Sequence, residues 1–431
     1  MRFLRATAGL ALGTTLLVGA AAFGVPWTRQ TAPPAKPHVA INPACVHGAG
    51  ATARQTLGIE AKQRKDIPIR NIVVVMQENR SFDHYYGAWA ATQTGIDGIP
   101  AEFTNPDENG QRVSPHHLAT TCVKSDPPHQ WDAMHAQWNG GRMDGFVTTA
   151  AGPPGGGRYT LGHYDERDLP FYHWLARTFS ISDRHFSSAL AGTWHNRQFL
   201  YTGTSRRIGK RGELTGVPTV FDALDAAGVG WAVYTDGQPR QDCIGWQRGH
   251  RGLKRYDDFL QALKSETLPP VVFVDPAYEA DEHPPNDVQS GEAWFRKLYL
   301  AATKSALWPG LALLLTYDES GGFFDHVPPP AACPPVPSQP ELNQLGVRIP
   351  LTLISPWARP GAVSHEVSEH ASVLRFIEVV HDLPALSARD ANASSLLAMF
   401  DFSAPHLLTP EAPPESGRGG CPTLVATSPA P

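Results

Sequence analysis

Apolar positions follow two rhythms along the 431-residue chain. Residues 67–76 (IPIRNIVVVM) end in an unbroken, largely β-branched apolar run. Such a run predicts a strand buried on both faces, as in a parallel sheet. Residues 311–316 (LALLLT) and 349–354 repeat the pattern, and shorter strands are predicted at 231–234 and 271–274. Residues 179–186 also read as extended. Between these runs the spacing becomes helical. Residues 219–228 open on Thr219 as N-cap, carry Asp222 three positions later and stop at Gly228. Residues 291–304 set Trp294, Leu298 and Ala301/Ala302 on one face, and 369–380 make another helix. Residues 88–160 show neither rhythm and read as irregular. Strands alternating with helices predict an α/β fold around a mostly parallel central sheet, with helices on both faces and long loop insertions.

Composition sharpens this picture. The chain holds 40 Pro and 39 Gly, with no Gly-X-Y period, which excludes collagen and predicts long ordered loops. Hydrophobic residues make up 42%, enough to bury a core. Lys+Arg number 36 against 41 Asp+Glu, a net charge of −5 without a basic run, which argues against nucleic acid as the partner. Residues 1–24 have the layout of a signal peptide or anchor. Arg2 and Arg5 precede an apolar stretch at 6–19 and the small residues Ala20, Ala21 and Ala22. Export to the periplasm or medium follows, with an uncleaved anchor as the alternative, and no other segment is long enough to span a membrane. Residues 25–66 read as a Pro/Ala/Thr-rich arm, 67–403 as one catalytic domain and 404–431 as a Pro-rich tail. The cysteines are Cys45, Cys122, Cys243, Cys333 and Cys421, with no C-x-x-C pair. An exported chain can form two disulfides from them and keep one thiol, and the pairing stays open.

In parallel sheets the chemistry lies at the carboxyl ends of the strands. There the first strand continues as QENRSFDH (77–84) and the later one as YDESGGFFDH (317–326). If the two strands are neighbours, Glu78, Asn79, Asp318 and Glu319 converge. Three carboxylates in one site cannot all ionise without a cation, and oxygen ligands select a divalent ion such as Mg, Ca, Mn or Zn. The plainer reading makes these carboxylates helix caps. A third cluster, AGTWHNR (191–197), places Thr193 in a glycine-containing turn ahead of an apolar run. A hydroxyl at a helix N-terminus is either an N-cap or a nucleophile eased by the helix dipole. Of the 18 histidines, His129, His135, His283, His326 and His370 follow acidic or Pro-rich turns. Gathered in one pocket they would bind phosphate oxygens or protonate a leaving group; singly they are ordinary hydrogen-bonded side chains.

Taken together, QENRSFDHYYG (77–87), NGGRMDGF (139–146), the stretch 168–204 ending in NRQFLYTGT, YDESGGFFDHV (317–327), GVRIPLTLISPW (346–357) and 370–378 resemble the bacterial phosphoesterases of phospholipase C and acid phosphatase type. That family is similar in fold to alkaline phosphatases and sulfatases. The resemblance covers about residues 65–382 and implies an alkaline-phosphatase-like fold and metal-dependent hydrolysis of phosphoric esters. It also implies Thr193 as nucleophile through a covalent phosphoenzyme, and Glu78, Asn79, Asp318 and Glu319 as ligands of a divalent metal. His129, His283 and His326 would line the phosphate pocket, with His370 as a further counterpart. The sequence departs from the family where His195 replaces a usual Pro, and where Ala191-Gly192 replaces a usual Gly-Pro. The implied substrate is a phosphoester, either a monoester or a phospholipid. The chain ends soon after the catalytic segments, which leans toward the short phosphatase-like form. Two rival readings are a non-catalytic exported protein that binds phosphorylated ligands, and a sulfatase. The first predicts loss of Thr193 or a carboxylate, and neither is lost. The second needs a C/S-x-P-x-R motif that the Thr193 region lacks.

Overall fold

The computed structural model describes residues 45–152, 156–205, 213–237, 240–246 and 249–417. The expected signal segment, the first part of the arm and the end of the tail lie outside them. Eight strands form the central sheet: β1 (Asn71–Gln77), β2 (Ser180–Ser182), β3 (Trp231–Thr235), β4 (Leu253–Arg255), β5 (Val271–Asp275), β6 (Leu311–Tyr317), β7 (Leu351–Ile354) and β8 (Ala362–Ser364). Their order is β8-β2-β7-β6-β1-β5-β3-β4. β1 lies in the middle, parallel to β5 on one side and β6 on the other. Val73, for example, faces Val272 and Leu313. Every residue of β1, β5 and β6 is buried, which is why these runs are apolar at each position instead of alternating. β7 alone among these strands runs against the others, pairing antiparallel with β6 and β2.

The helices that bear on the site are α1 (Ala53–Leu57), α2 (Ala61–Lys65), α3 (Phe82–Tyr86), α4 (Trp131–Trp138), α5 (Pro170–Thr178), α6 (Thr193–Thr202), α7 (Val220–Ala226), α8 (Tyr256–Lys264), α9 (Val288–Lys304) and α10 (His370–His381). α9 packs with α5 and α8, and α6 packs with α10. The expected capping by Thr219 is present: its hydroxyl accepts from Asp222 N and the Asp222 side chain reaches back to Thr219 N. α9 begins earlier than its apolar spacing indicates, because Asp287 caps it through Gln289 N. The stretch expected to be irregular contains α4 and a turn of helix at Phe146–Thr149, whose buried Met134, Phe146 and Val147 form a small core of their own. Its apolar positions are too few and too short-ranged to show a period.

Residues 45–66 contribute α1 and α2 and are pinned to the main body. Cys45 is disulfide-bonded to Cys333, and Gly50 N donates to Ala385 O at 2.7 Å. Cys122 is also disulfide-bonded, while Cys243 is a buried free thiol. Near the end of the described chain, Arg296 on α9 donates to Pro414 O (2.7 Å) and Gly417 N donates to Glu292 (2.9 Å). Among the described residues no helix is long and apolar enough to cross a membrane.

Candidate active site

β1 and β6 end in register, with Gln77 opposite Tyr317. The residues that follow therefore emerge side by side. Asp318 N donates to Gln77 O (3.0 Å), and Asp318 Oδ1 accepts from Asn79 N (3.0 Å) and Glu319 N (2.8 Å). Glu319 Oε2 accepts from Gly321 N at 2.6 Å. Asn79 adopts a left-handed backbone (φ 64°), a conformation of roughly 1–3 kcal/mol cost outside glycine. Gly321, also left-handed, lies so close that a Cβ there would stand 2.5 Å from Asn79 O. Glycine is required at 321 for the two loops to meet.

This meeting leaves polar atoms without protein partners. Asn79 Oδ1, Asp318 Oδ2 and Glu319 Oε1 are buried and accept no hydrogen bond among the described residues. Buried polar atoms are normally paired, so oxygens left over on these two adjoining loops have the chemistry that suits a hard cation. The charges agree. Burial, then the neighbouring Glu78, raises the pKa of Asp318 to about 6. Burial and Asp318 push Glu319 well above the usual carboxylate range. Glu78 differs: burial opposes its ionisation, but Arg240 and Arg197 outweigh it and hold its pKa low. Arg197 donates to Glu78 Oε1 (2.8 Å) and to Asp275 (2.9 Å), and Arg240 bridges Glu78 (3.4 Å) and Asp281 (2.5 Å).

Thr193 opens α6. Gly192, not Thr193, occupies the N-cap position, so the hydroxyl is not spent on capping. It lies beside the Asp318 carboxylate and helps to lower its pKa against the effect of burial. The turn is fastened by Asn196, whose Nδ2 donates to Ala191 O (2.6 Å) and whose Oδ1 accepts from Ala189 N (3.0 Å). Thus the Asn-Arg pair after Thr193 has two local tasks: Asn196 shapes the turn, and Arg197 holds Glu78. Gly192 passes within 3.4 Å (measured from an added Cβ) of His129 O, which brings His129 beside the turn.

His129 Nδ1 donates to Pro127 O (2.7 Å), and its Nε2 lies 3.9 Å from Glu319 Oε1. His283 Nδ1 donates to Pro284 O (2.7 Å), and its Nε2 lies 3.9 Å from Asp126. The two rings are 6.0 Å apart, and Asp126, His129 and His283 bring one ligand atom each within 4.8 Å of one another. His326 does not join them. Both its ring nitrogens are taken, Nδ1 by Asp83 (2.6 Å) and Nε2 by Asp97 (3.3 Å), inside a network with Asp325 and Arg348. His326 is thereby corrected from a pocket residue to a member of that network. His370 lies behind the carboxylates, its Nε2 donating to Asp318 O at 2.7 Å. His135 is occupied within α4, bonded to Trp131 O (2.8 Å) and packed on the Trp131 ring.

The residues that sequence reasoning missed are Asp126, Arg240, Asp275 and Asp281. Asp275 ends β5 and carried a signal in the strand-end rule. Arg240 and Asp126 lie in loops whose sequence has no period to place them.

Residues 69–384 match the Phosphoesterase family. The chain is similar to non-specific phospholipase C1 of Arabidopsis thaliana, 31% identical over 395 residues that span 81% of this chain and 74% of the relative. It is equally similar to phospholipase C B of Mycobacterium tuberculosis, 31% identical with 78% of each chain covered. Among solved structures, an alkaline phosphatase superfamily protein from Vibrio parahaemolyticus aligns over 80% of both chains at 12% identity, with a TM-score of 0.39.

Proposed function

The chain belongs to the Phosphoesterase family and is a phosphoric ester hydrolase, and from that premise we propose that Thr193 is its nucleophile and a divalent cation its cofactor. What supports the reading is the Thr193 side chain beside the Asp318 carboxylate, together with the oxygens of Asn79, Asp318 and Glu319 that the two loops leave without hydrogen-bond donors. These three residues, with Glu78 alongside, would hold the cation, which when bound supplies positive charge to the phosphoryl oxygens and favours the threonine alkoxide.

The protein's own groups account for the remaining steps. Thr193 gives its proton to solvent and attacks phosphorus in line. The bond to the leaving alcohol breaks and a phosphothreonine forms. His129 and His283 have their Nδ1 protons tied to backbone carbonyls, and either, as the imidazolium, donates its second proton from Nε2 to the leaving oxygen. Water then attacks the phosphothreonine and restores the hydroxyl. Relatives named phospholipase C favour a phosphodiester substrate, a lipid with its headgroup phosphate, over the monoester. The disulfide at Cys45–Cys333 supports an oxidising compartment and hence export. Incubation with phosphatidylcholine and with a phosphate monoester, scoring phosphocholine against free phosphate, tests the substrate. Release of phosphate from the monoester alone would overturn the phosphodiester assignment.

A further inference from the structure

The loop after β5 holds a buried carboxylate to which the chemistry above gives no task. Glu282 is fully buried between Asp281, the partner of Arg240, and His283. Four donors converge on its two oxygens. Tyr85 (2.5 Å) and Tyr317 (2.8 Å) donate to Oε2, while Tyr172 (2.5 Å) and Gln77 Nε2 (3.0 Å) donate to Oε1. Arg80 donates to its backbone carbonyl. Glu282 has a left-handed backbone (φ 71°), and α9 presses on it: a Cβ on Gly291 would lie 2.2 Å from Glu282 Cγ. Its place is fixed from every side.

The origin of the donors gives this arrangement its meaning. Gln77 is the last residue of β1 and immediately precedes Glu78–Asn79. Tyr317 is the last residue of β6 and immediately precedes Asp318–Glu319. Glu282 itself precedes His283. One carboxylate therefore joins the roots of three segments that carry the candidate centre. Filling space would not need a carboxyl group here, because burial disfavours one until hydrogen bonds offset its lost hydration.

We propose that Glu282 is a positioning residue of the hydrolase, whose carboxylate sets the spacing of Glu78–Asn79, Asp318–Glu319 and His283 by holding Gln77 and Tyr317. It touches neither substrate nor reacting atoms. The proposal rests on the reading of those residues as the catalytic centre. Misplacing reacting groups by about 1 Å costs on the order of 10²-fold in rate, so the effect belongs in kcat.

The test uses the full chain with p-nitrophenylphosphocholine as probe and compares Glu282→Gln, Tyr317→Phe and Tyr85→Phe, with Thr193→Ala in parallel. Tyr317 and Tyr85 are both buried and each loses one bond to Glu282 Oε2, so a merely structural role moves Tm and kcat alike in both. A positioning role separates them, because Tyr85 belongs to α3 and roots none of the three segments. Tyr317→Phe and Glu282→Gln are expected to lower kcat by about 30-fold or more with KM within about 3-fold, while Tyr85→Phe stays within about 3-fold of wild type at a similar Tm loss. Equal kcat in the two tyrosine variants, or wild-type kcat in Glu282→Gln, overturns the proposal. If Glu282→Gln does not fold, the tyrosine pair decides alone. Wild-type turnover by Thr193→Ala would instead overturn the catalytic centre, which keeps the two failures distinct.

Discussion

The loops after β1 and β6 each supply carboxylates to two buried clusters, and the clusters are built in opposite ways. Asp83 and Asp325 are bound by Arg348 (2.8 and 3.0 Å), and His326 bonds to Asp83. Asp318 and Glu319, only a few residues away in sequence, form no ion pair with an arginine or lysine among the described residues; Arg197 and Arg240 are bonded to Glu78, Asp275 and Asp281, and His129 Nε2 stands 3.9 Å from Glu319. Both clusters are fully buried. A buried acid cluster that the chain neutralises by itself serves the fold. One whose oxygens are left over can take a partner from outside, and the proposed centre rests on that difference.

The sharpest way to break this comparison is to remove the nucleophile. Thr193→Ala should lower turnover by about 10³-fold or more while leaving the thermal transition near wild type, as read by steady-state kinetics and calorimetry. Next in size is stability at the neutralised cluster. Asp83→Asn leaves Arg348 and His326 one carboxylate short inside a buried network and should cost about 3 kcal/mol in urea unfolding. Asp318→Asn should do the opposite in cation-free protein, raising Tm because one of the crowded carboxylates is gone. A matching loss in both variants would erase the distinction between the clusters. The smallest effect is a pH dependence. Burial lowers the pKa of His326, but Asp83 and Asp97 outweigh it and raise it to about 9. A group raised above its free value of about 6.5 contributes fully below that pH and loses its contribution as pH rises through 9. The stability advantage of wild type over His326→Gln should therefore shrink by on the order of 1–3 kcal/mol between pH 6 and 10.

The sheet was legible because fully buried strands leave an unbroken apolar trace, as 72–76 and 311–315 do. The antiparallel course of β7 was not, since an apolar run carries no direction. The adjacency of the loops that carry Glu78–Asn79 and Asp318–Glu319 followed from strand-end reasoning once β1 and β6 were neighbours. His326 misled because DH pairs look alike wherever they stand, and only packing reveals that Asp83 and Asp97 take both ring nitrogens. The Glu282 cluster was hidden for a related reason. Its tyrosines lie at positions 85, 172 and 317, and nothing in their local sequence ties them to one carboxylate.

The central claim, that the unneutralised cluster works only with a cation, is tested most directly by chelation. Purified enzyme stripped of divalent metal should lose activity on a phosphoester and regain it when one of Mg, Ca, Mn or Zn is returned, whereas Asp318→Asn should neither retain metal nor respond. A stripped wild-type enzyme that turns over at its full rate would contradict the account.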